Sequence, residues 1–215
     1  MADSDDDGEP RLSTDTLAAL SEFFTEQAIA ERETQEGPHK GRLMENWQLS
    51  QFWYDDSTAA VLAEEAVRAS GGGRVACISC PTLFLKLKST FPVQCSCTLL
   101  EYDRRFDVHN EFIFYDYNDP FNLPTSISYP PYSYDLVIAD PPFMSEECLV
   151  KTSKTIKHLA KDKILVCTGL VMEELCSKLL GVKTCRFVPK HSNNLGNEFR
   201  CYTNYRSDLD NVDES

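Results

Sequence analysis

From Arg74 onward the chain alternates short apolar runs with stretches of helical spacing, and few architectures accept that alternation. Arg74–Ser79 (RVACIS), Cys97–Tyr102 (CTLLEY), Glu111–Tyr115 (EFIFY), Tyr134–Ala139 (YDLVIA) and Lys163–Cys167 (KILVC) read as strands. Leu83–Lys88, Glu146–Ala160 and Val171–Leu180 carry helix patterns, the second with Leu149, Ile156 and Leu159 facing inward. Ser57–Ala69 forms a further helix ahead of the first strand, stopped by Gly71-Gly72-Gly73. Val182–Val188 and Glu198–Tyr205 have only a loop between them, which predicts an antiparallel hairpin. Strands alternating with helices predict an α/β fold with a mostly parallel sheet covered on both faces. The continuous apolar run of Tyr134–Ala139 suits a strand buried on both sides. In such sheets ligands bind beyond the carboxyl ends of the strands, so the residues just past each strand matter most.

The fourth strand runs straight into Asp140-Pro141-Pro142-Phe143. Two successive prolines fix φ and remove two backbone donors, and Asp140 is restrained by preceding one of them. The result is a stiff turn that offers free carbonyls, a carboxylate and an aromatic face. Asp140 and the carbonyls from Ala139 to Pro142 can accept hydrogen bonds from an amino group. Phe143 can stack on a base or face a cation. Acceptors on one side of a nitrogen aim its lone pair at an electrophile on the other, which is catalysis by positioning.

Outside this core, Ser13–Glu33 has helical spacing and Glu31–Lys40 reads as a charged linker. The expected organisation is an acidic tail over 1–10, an N-terminal helix and linker over 11–40, a catalytic domain over 41–206, and a second acidic tail over 207–215. The 34 Asp+Glu against 21 Lys+Arg set a formal net charge of −13. Nine of the acids lie in residues 1–9 and 207–215, which hold no base, so residues 10–206 carry 25 acids against 21 bases. The Lys151–Lys163 run holds five Lys and reads as an ordinary solvated helix face. A nucleic-acid enzyme needs a basic face, and none is apparent. No apolar run reaches the ~18 residues of a membrane span. The opening MADSDDDGEP has neither the basic nor the apolar region of a targeting segment. The nine Cys lie mostly in apolar runs and are expected to be reduced and buried, in the cytoplasm. The spacing Cys77-x2-Cys80 with Cys95-x-Cys97 raises a zinc site, but strand-like surroundings argue against one, and no metal is expected.

Asp140–Phe143 resembles the [DN]-P-P-[YFW] signature of S-adenosylmethionine-dependent methyltransferases that act on amino groups. With Asn46–Tyr54 (NWQLSQFWY), Glu101–Phe106 (EYDRRF), Glu111–Asn118 (EFIFYDYN), Asp140–Glu147 (DPPFMSEE) and Asn197–Tyr205 (NEFRCYTNY), the chain resembles the eukaryotic lysine methyltransferases of translation elongation factor 1-alpha. That family was earlier labelled an N6-adenine DNA methyltransferase. The likeness spans roughly residues 10–206. It implies a Rossmann-like seven-stranded methyltransferase sheet with an antiparallel final strand pair, S-adenosyl-L-methionine as cofactor, and Asp140, Pro141, Pro142 and Phe143 as the catalytic turn.

The same resemblance implies the cofactor residues. An acid after the second strand takes the ribose hydroxyls: Asp103 is preferred, with Glu101 the alternative. Asp116 and Tyr117 take the adenine. Trp47, Gln51, Phe52 and Trp53 match a segment that closes over the methionine end, where aromatic faces suit a sulfonium. The usual glycine-rich loop after the first strand is missing. Ser79-Cys80-Pro81-Thr82 stands in its place, so Ser79, Cys80 and backbone groups must hold the cofactor there. The triple glycine precedes the strand, on the wrong edge.

The implied reaction is direct in-line methyl transfer to a lysine amine, with Asp140 orienting the nitrogen. A basic protein, elongation factor 1-alpha, is the expected substrate and a monomer the expected form, with no stable nucleic acid or membrane partner. The alternatives are an N6-adenine methyltransferase of nucleic acid, or a cofactor-fold binding module without catalysis.

Overall fold

The computed structural model describes Glu45 and residues 51–124, 130–193 and 196–211. The expected helix over 13–33, the linker and Trp47 lie outside the described residues.

Helix α1, Asp56–Ser70, is set by its two ends. The Asp55 carboxylate accepts the Thr58 amide at 2.7 Å, and Gly71 takes the left-handed conformation (φ 60°) that ends the helix. The buried stripe Ala59, Leu62, Ala63 and Ala66 packs its inner face. Gly73 is needed for a separate reason: a Cβ there would collide with the Asp135 carboxylate, which accepts the Arg74 amide at 2.8 Å. The triple glycine thus serves the approach to the sheet.

The sheet comprises β1 Arg74–Ile78, β2 Ser96–Glu101, β3 Phe112–Phe114, β4 Tyr134–Ala139, β5 Ala160–Gly169, β6 Lys183–Thr184 and β7 Phe199–Thr203. Their order is β3-β2-β1-β4-β5-β7-β6. β1 to β5 are parallel, and β7 runs antiparallel to both β5 and β6. Three more helices, α2 Pro81–Thr90, α3 Glu146–Leu159 and α4 Glu173–Leu180, connect the strands. In β4 only Asp135 escapes full burial, as its apolar run requires, and Leu136 and Ile138 are almost wholly enclosed. Each such side chain contributes about 1.5–3 kcal/mol by leaving water.

From β1 the chain winds outward to β3, then returns to β4 on the other side of β1. The two crossovers leave a crevice above the ends of β1 and β4, the switch point where α/β sheets bind ligands. Ladder bonds carry past both strand ends: Ser79 donates to the Leu100 carbonyl at 2.8 Å and Asp140 to the Ile78 carbonyl at 3.0 Å. Asp140 therefore stands at the crevice as a continuation of the sheet.

Several boundaries differ from the sequence expectation. β6 is two residues long instead of Val182–Val188. After Cys185 donates to Cys201, the Phe187 amide turns to the Leu209 carbonyl at 2.9 Å, so the C-terminal turn takes over the pairing. The tail expected from 207 accordingly begins with packed structure. Ser207 donates to Glu65 at 2.6 Å, Leu209 is 1% exposed, and Asp208 pairs with Arg68 at 2.9 Å. One apolar anchor and two partnered polar groups overcome the acidity of the segment. The Lys151–Lys163 run also divides: α3 ends at Leu159, and Lys161 and Lys163 stand on β5, bonded to Asp135 and to the Ala69 carbonyl. All nine cysteines are free, and among the described residues no group of three or more His, Cys, Asp or Glu could hold a metal ion.

Candidate active site

A cavity of about 330 Å³ opens above β1 and β4. Its walls come from four places: the turn after β1, the ends of β2 and β3, the Asp140–Met144 turn, and a strap over 51–54. His191 and Phe199 close one side.

The turn after β1 replaces glycine with strain. Ser79 holds φ at 54°, left-handed backbone that a non-glycine residue adopts at a cost of about 1–2 kcal/mol. It lets the chain drop sharply from the strand into α2, which Pro81 opens. The Cys80 thiol is 2% exposed and donates to the Ile138 carbonyl at 3.8 Å. Burial, with Cys77 beside it, pushes it well above its ordinary value, so Cys80 is a neutral wall residue and not a nucleophile.

At the end of β2 the two candidate acids are placed differently. Glu101 lines the cavity; Asp103 does not. Asp103 is spent on its own loop: Oδ2 accepts from Gln51 at 2.9 Å and from Arg105 Nε at 2.8 Å, and Oδ1 caps the Arg105 amide at 2.9 Å. Burial pushes its carboxyl up, but the Arg105 hydrogen bonds outweigh burial and hold it below the ordinary value. Glu101 accepts the Asp103 amide at 3.0 Å. Burial, helped by the charge of Asp103, raises the Glu101 carboxyl. Asp103 and Gln51 thus brace the wall that Glu101 presents.

Past β3, Asp116 and Tyr117 both line the cavity. Asp116 accepts the Asn118 amide at 2.8 Å, and the Tyr117 ring meets Phe143 edge-on at 6.0 Å. Pro141 is buried and Phe143 is 43% exposed, so the turn is anchored by one residue and presents another at the mouth.

Asp140 is the most perturbed acid of the site. Burial pushes its carboxyl up to about 7; the hydrogen bond from Tyr54, at 2.6 Å, pulls down, and Glu101 pushes up. The Tyr54 ring stacks 5.2 Å from His191, which lies 4.7 Å from Phe199. Burial lowers the His191 imidazole, leaving it neutral at pH 7.

Gln51, Phe52, Trp53, Ser79, Cys80, Asp116, Tyr117 and the Asp140–Phe143 turn are therefore brought together at one cavity. Tyr54, His191 and Phe199 join them unanticipated as site residues. Tyr54 and Phe199 lie within segments that carried the family resemblance; His191 had no sequence signal beyond its being one of four histidines.

The cavity's chemistry is one-sided. Glu101, Asp116 and Asp140 line it, and among the described residues no Lys or Arg does. That electrostatic character suits a cation and repels phosphate. The indole Nε1 of Trp53, at the wall, is buried with no hydrogen-bond acceptor among the described residues. Such a donor is ready for an acceptor on a ligand. A pocket of a few hundred Å³ with apolar walls and a few placed polar groups is of the kind that holds a cofactor.

Known proteins match the chain over nearly its whole length. A Gallus gallus protein named EEF1A lysine methyltransferase 1 is 56% identical over 214 residues, covering 97% of this chain and all of that protein. A Homo sapiens protein of the same name is 53% identical, with 98% of this chain and 99% of that one covered. A Caenorhabditis elegans protein-lysine N-methyltransferase is 42% identical, with 95% and 98% covered. A family model described as "Probable N6-adenine methyltransferase" matches residues 45–207, the span that holds the strap, the whole sheet and every wall of the cavity, and the chain belongs to that family.

Proposed function

We infer that the chain is an S-adenosyl-L-methionine-dependent protein-lysine N-methyltransferase that acts on elongation factor 1-alpha. The observation that carries this is the cavity at the switch point, lined among the described residues by three carboxylates and no Lys or Arg, with the Asp140-Pro-Pro-Phe turn at its edge. The relatives' names give the substrate class. That no Lys or Arg lines the walls among the described residues favours an amine over a phosphate-flanked base.

Bound in the cavity, the cofactor supplies an electrophilic methyl on a cationic sulfur. Glu101, which lines the cavity, would accept from the ribose hydroxyls, and Asp116 with Tyr117 would meet the adenine. Trp53 and Phe52 supply aromatic faces, and the Trp53 N–H supplies a donor. Ser79 and Cys80 shape the floor by backbone and size.

At the reacting end the chain must receive an ammonium and release a neutral amine. A free lysine has a pKa of about 10.4, so only ~1 in 2,500 is neutral at pH 7. Desolvation against Phe143 and Pro141 favours the neutral form. Asp140, at about 7, is near enough to neutrality to accept the proton. The N–H groups that remain on the amine would be held by the turn's carbonyls and Asp140, which would aim the freed lone pair at the methyl the cofactor would supply. We further propose that the protein works as a cytoplasmic monomer, in keeping with its buried free thiols.

The test is incubation with methyl-labelled cofactor, purified elongation factor 1-alpha and adenine-containing DNA. A mass gain of one or more methyl groups on a lysine of the factor is expected. Label in the DNA with none in protein would overturn the proposal.

A further inference from the structure

Of the strap residues, Tyr54 alone reaches the acceptor side of the cavity by a hydrogen bond. It is 4% exposed, and its hydroxyl donates to Asp140 Oδ2 at 2.6 Å across 86 positions of sequence. Among the described residues no other donor bonds this carboxylate.

The hydroxyl is itself held on several sides. Tyr54 pairs with His191 in an isolated antiparallel bridge. Asp55 donates to the Lys190 carbonyl at 3.0 Å, and Ser192 to the Trp53 carbonyl at 2.8 Å. Lys190 in turn donates to Thr58 Oγ1 at 2.9 Å on α1. The strap is thus a short backbone ladder closed onto a helix, and the phenol is its rigid tip. The carboxyl torsion of an aspartate is soft on its own, so a fixed donor on one oxygen decides where the other points.

We propose that Tyr54 is a positioning residue for the methyl transfer, clamping Asp140 through one carboxylate oxygen so that the other is presented to the acceptor amine. The proposal rests on the lysine methyltransferase reading above. It adds a second link: three residues earlier, Gln51 donates to Asp103 at 2.9 Å and so braces the Glu101 wall. One rigid strap therefore ties the cofactor wall to the acceptor carboxylate.

The electrostatics are set by the groups that face Asp140. Glu101 comes from β2, the Cys80 thiol from the turn after β1, the Cys201 thiol from β7, and Tyr54 from the strap. Burial pushes the Cys80 thiol well up, and the bond from Cys167 together with burial does the same for Cys201, so neither carries charge. Burial and the Asp140 charge raise the Tyr54 phenol, which stays a donor across the working range. Among the described residues Glu101 is left as the one charge that opposes ionisation of Asp140, and Tyr54 as the one group that favours it. A donor to a carboxylate stabilises its charged, proton-accepting form.

Tyr54→Phe keeps the ring and removes the clamp. The carboxyl of Asp140, followed by carbon NMR in the cofactor-free protein, is expected to titrate at higher pH than in the wild type. The acid limb of the kcat profile moves the same way. A hydrogen bond to a charged group supports a fall in kcat at pH 7 of about 10- to 100-fold, with recovery toward pH 9. The Kd for the cofactor, by calorimetry, stays within about twofold. A residue that only packs would change stability and leave both pH curves in place, so overlaying titrations would overturn the proposal. Should Tyr54→Phe not fold, the Tyr54 hydroxyl proton decides: a downfield, protected resonance that moves upfield in Asp140→Asn is expected, and its absence in the wild type would overturn the clamp. If the wild type transfers methyl to no lysine, the reaction is refuted while the carboxyl titration still judges Tyr54.

Discussion

Replacing Asp140 with Asn should make the protein more stable and less active, and the size of the gain can be worked from the site. The carboxyl has an ordinary value of 3.8 and is pushed to about 7 by burial, even with Tyr54 bonded to it. Between those values the folded state keeps a proton that the unfolded chain has shed. Stability therefore falls as pH rises from about 4 to 7 and stays reduced above. The two values differ by about three powers of ten in proton affinity, a cost of about 4 kcal/mol once Asp140 is fully ionised. Water at the open cavity discounts that to about 2 kcal/mol. Asn is isosteric, stays neutral, and still accepts from Tyr54 through its amide oxygen. At about 2–4 °C per kcal/mol for a chain of this size, Tm should rise by about 4–8 °C at pH 8. At pH 4 the gain should vanish, because the wild-type carboxyl then folds with its proton. Thermal melts of both proteins at pH 4, 6 and 8 make the test. A difference independent of pH, or a loss of stability at pH 8, would refute the claim that ionised Asp140 is held against a burial cost.

Three further outcomes are expected. Glu101→Gln should weaken cofactor binding about tenfold or more by removing the carboxylate that faces the ribose position, whereas Asp103→Asn should act more weakly and through the Gln51–Arg105 brace; calorimetric Kd values in the reverse order would restore Asp103 as the contact residue. Ser79→Gly removes a left-handed strain of about 1–2 kcal/mol and adds back about 0.5–1 of chain entropy, so a net gain of about 0.5–1 kcal/mol should appear in the urea midpoint, and a loss would mean the serine side chain is needed. Ending the chain at residue 206 should cost about 2–4 kcal/mol, since it exposes the Leu209 site and orphans Glu65 from Ser207; an unchanged urea midpoint would return 207–211 to the status of a tail.

The sheet was largely legible in the sequence because each strand is a local apolar run and each break is local too. Helix α1 lies one residue beyond the expected Ser57–Ala69 at each end, since Asp55 and Gly71 mark those ends within the segment itself. β6 was overdrawn because its competitor, Leu209, sits over twenty residues downstream and takes the amide of Phe187. The different placement of the two acids after β2 was hidden for a similar reason. Glu101 and Asp103 are two residues apart, and only the folded loop shows that Asp103 turns to Arg105 and to Gln51, some fifty residues earlier, while Glu101 lines the cavity. The Asp140 turn was readable from its two prolines together with the buried strand that runs into them. Tyr54 was not, because a hydrogen bond spanning 86 positions leaves no local trace. Nor could spacing indicate that Ser79 would accept the backbone conformation usually left to glycine.

The placement of β7 has a consequence for how the chain comes off the ribosome. β7 lies between β5 and β6, yet it is made last. When Gly169 has been synthesised, β5 can join β4, but its other edge has no partner until Phe199–Thr203 emerge about thirty residues later. At 5–20 residues per second that is a few seconds during which Ile164, Leu165 and Val166 sit on an open strand edge. The closing step of sheet assembly is then an insertion into a waiting gap, and the nascent chain is most open to strand-to-strand aggregation just before β7 appears.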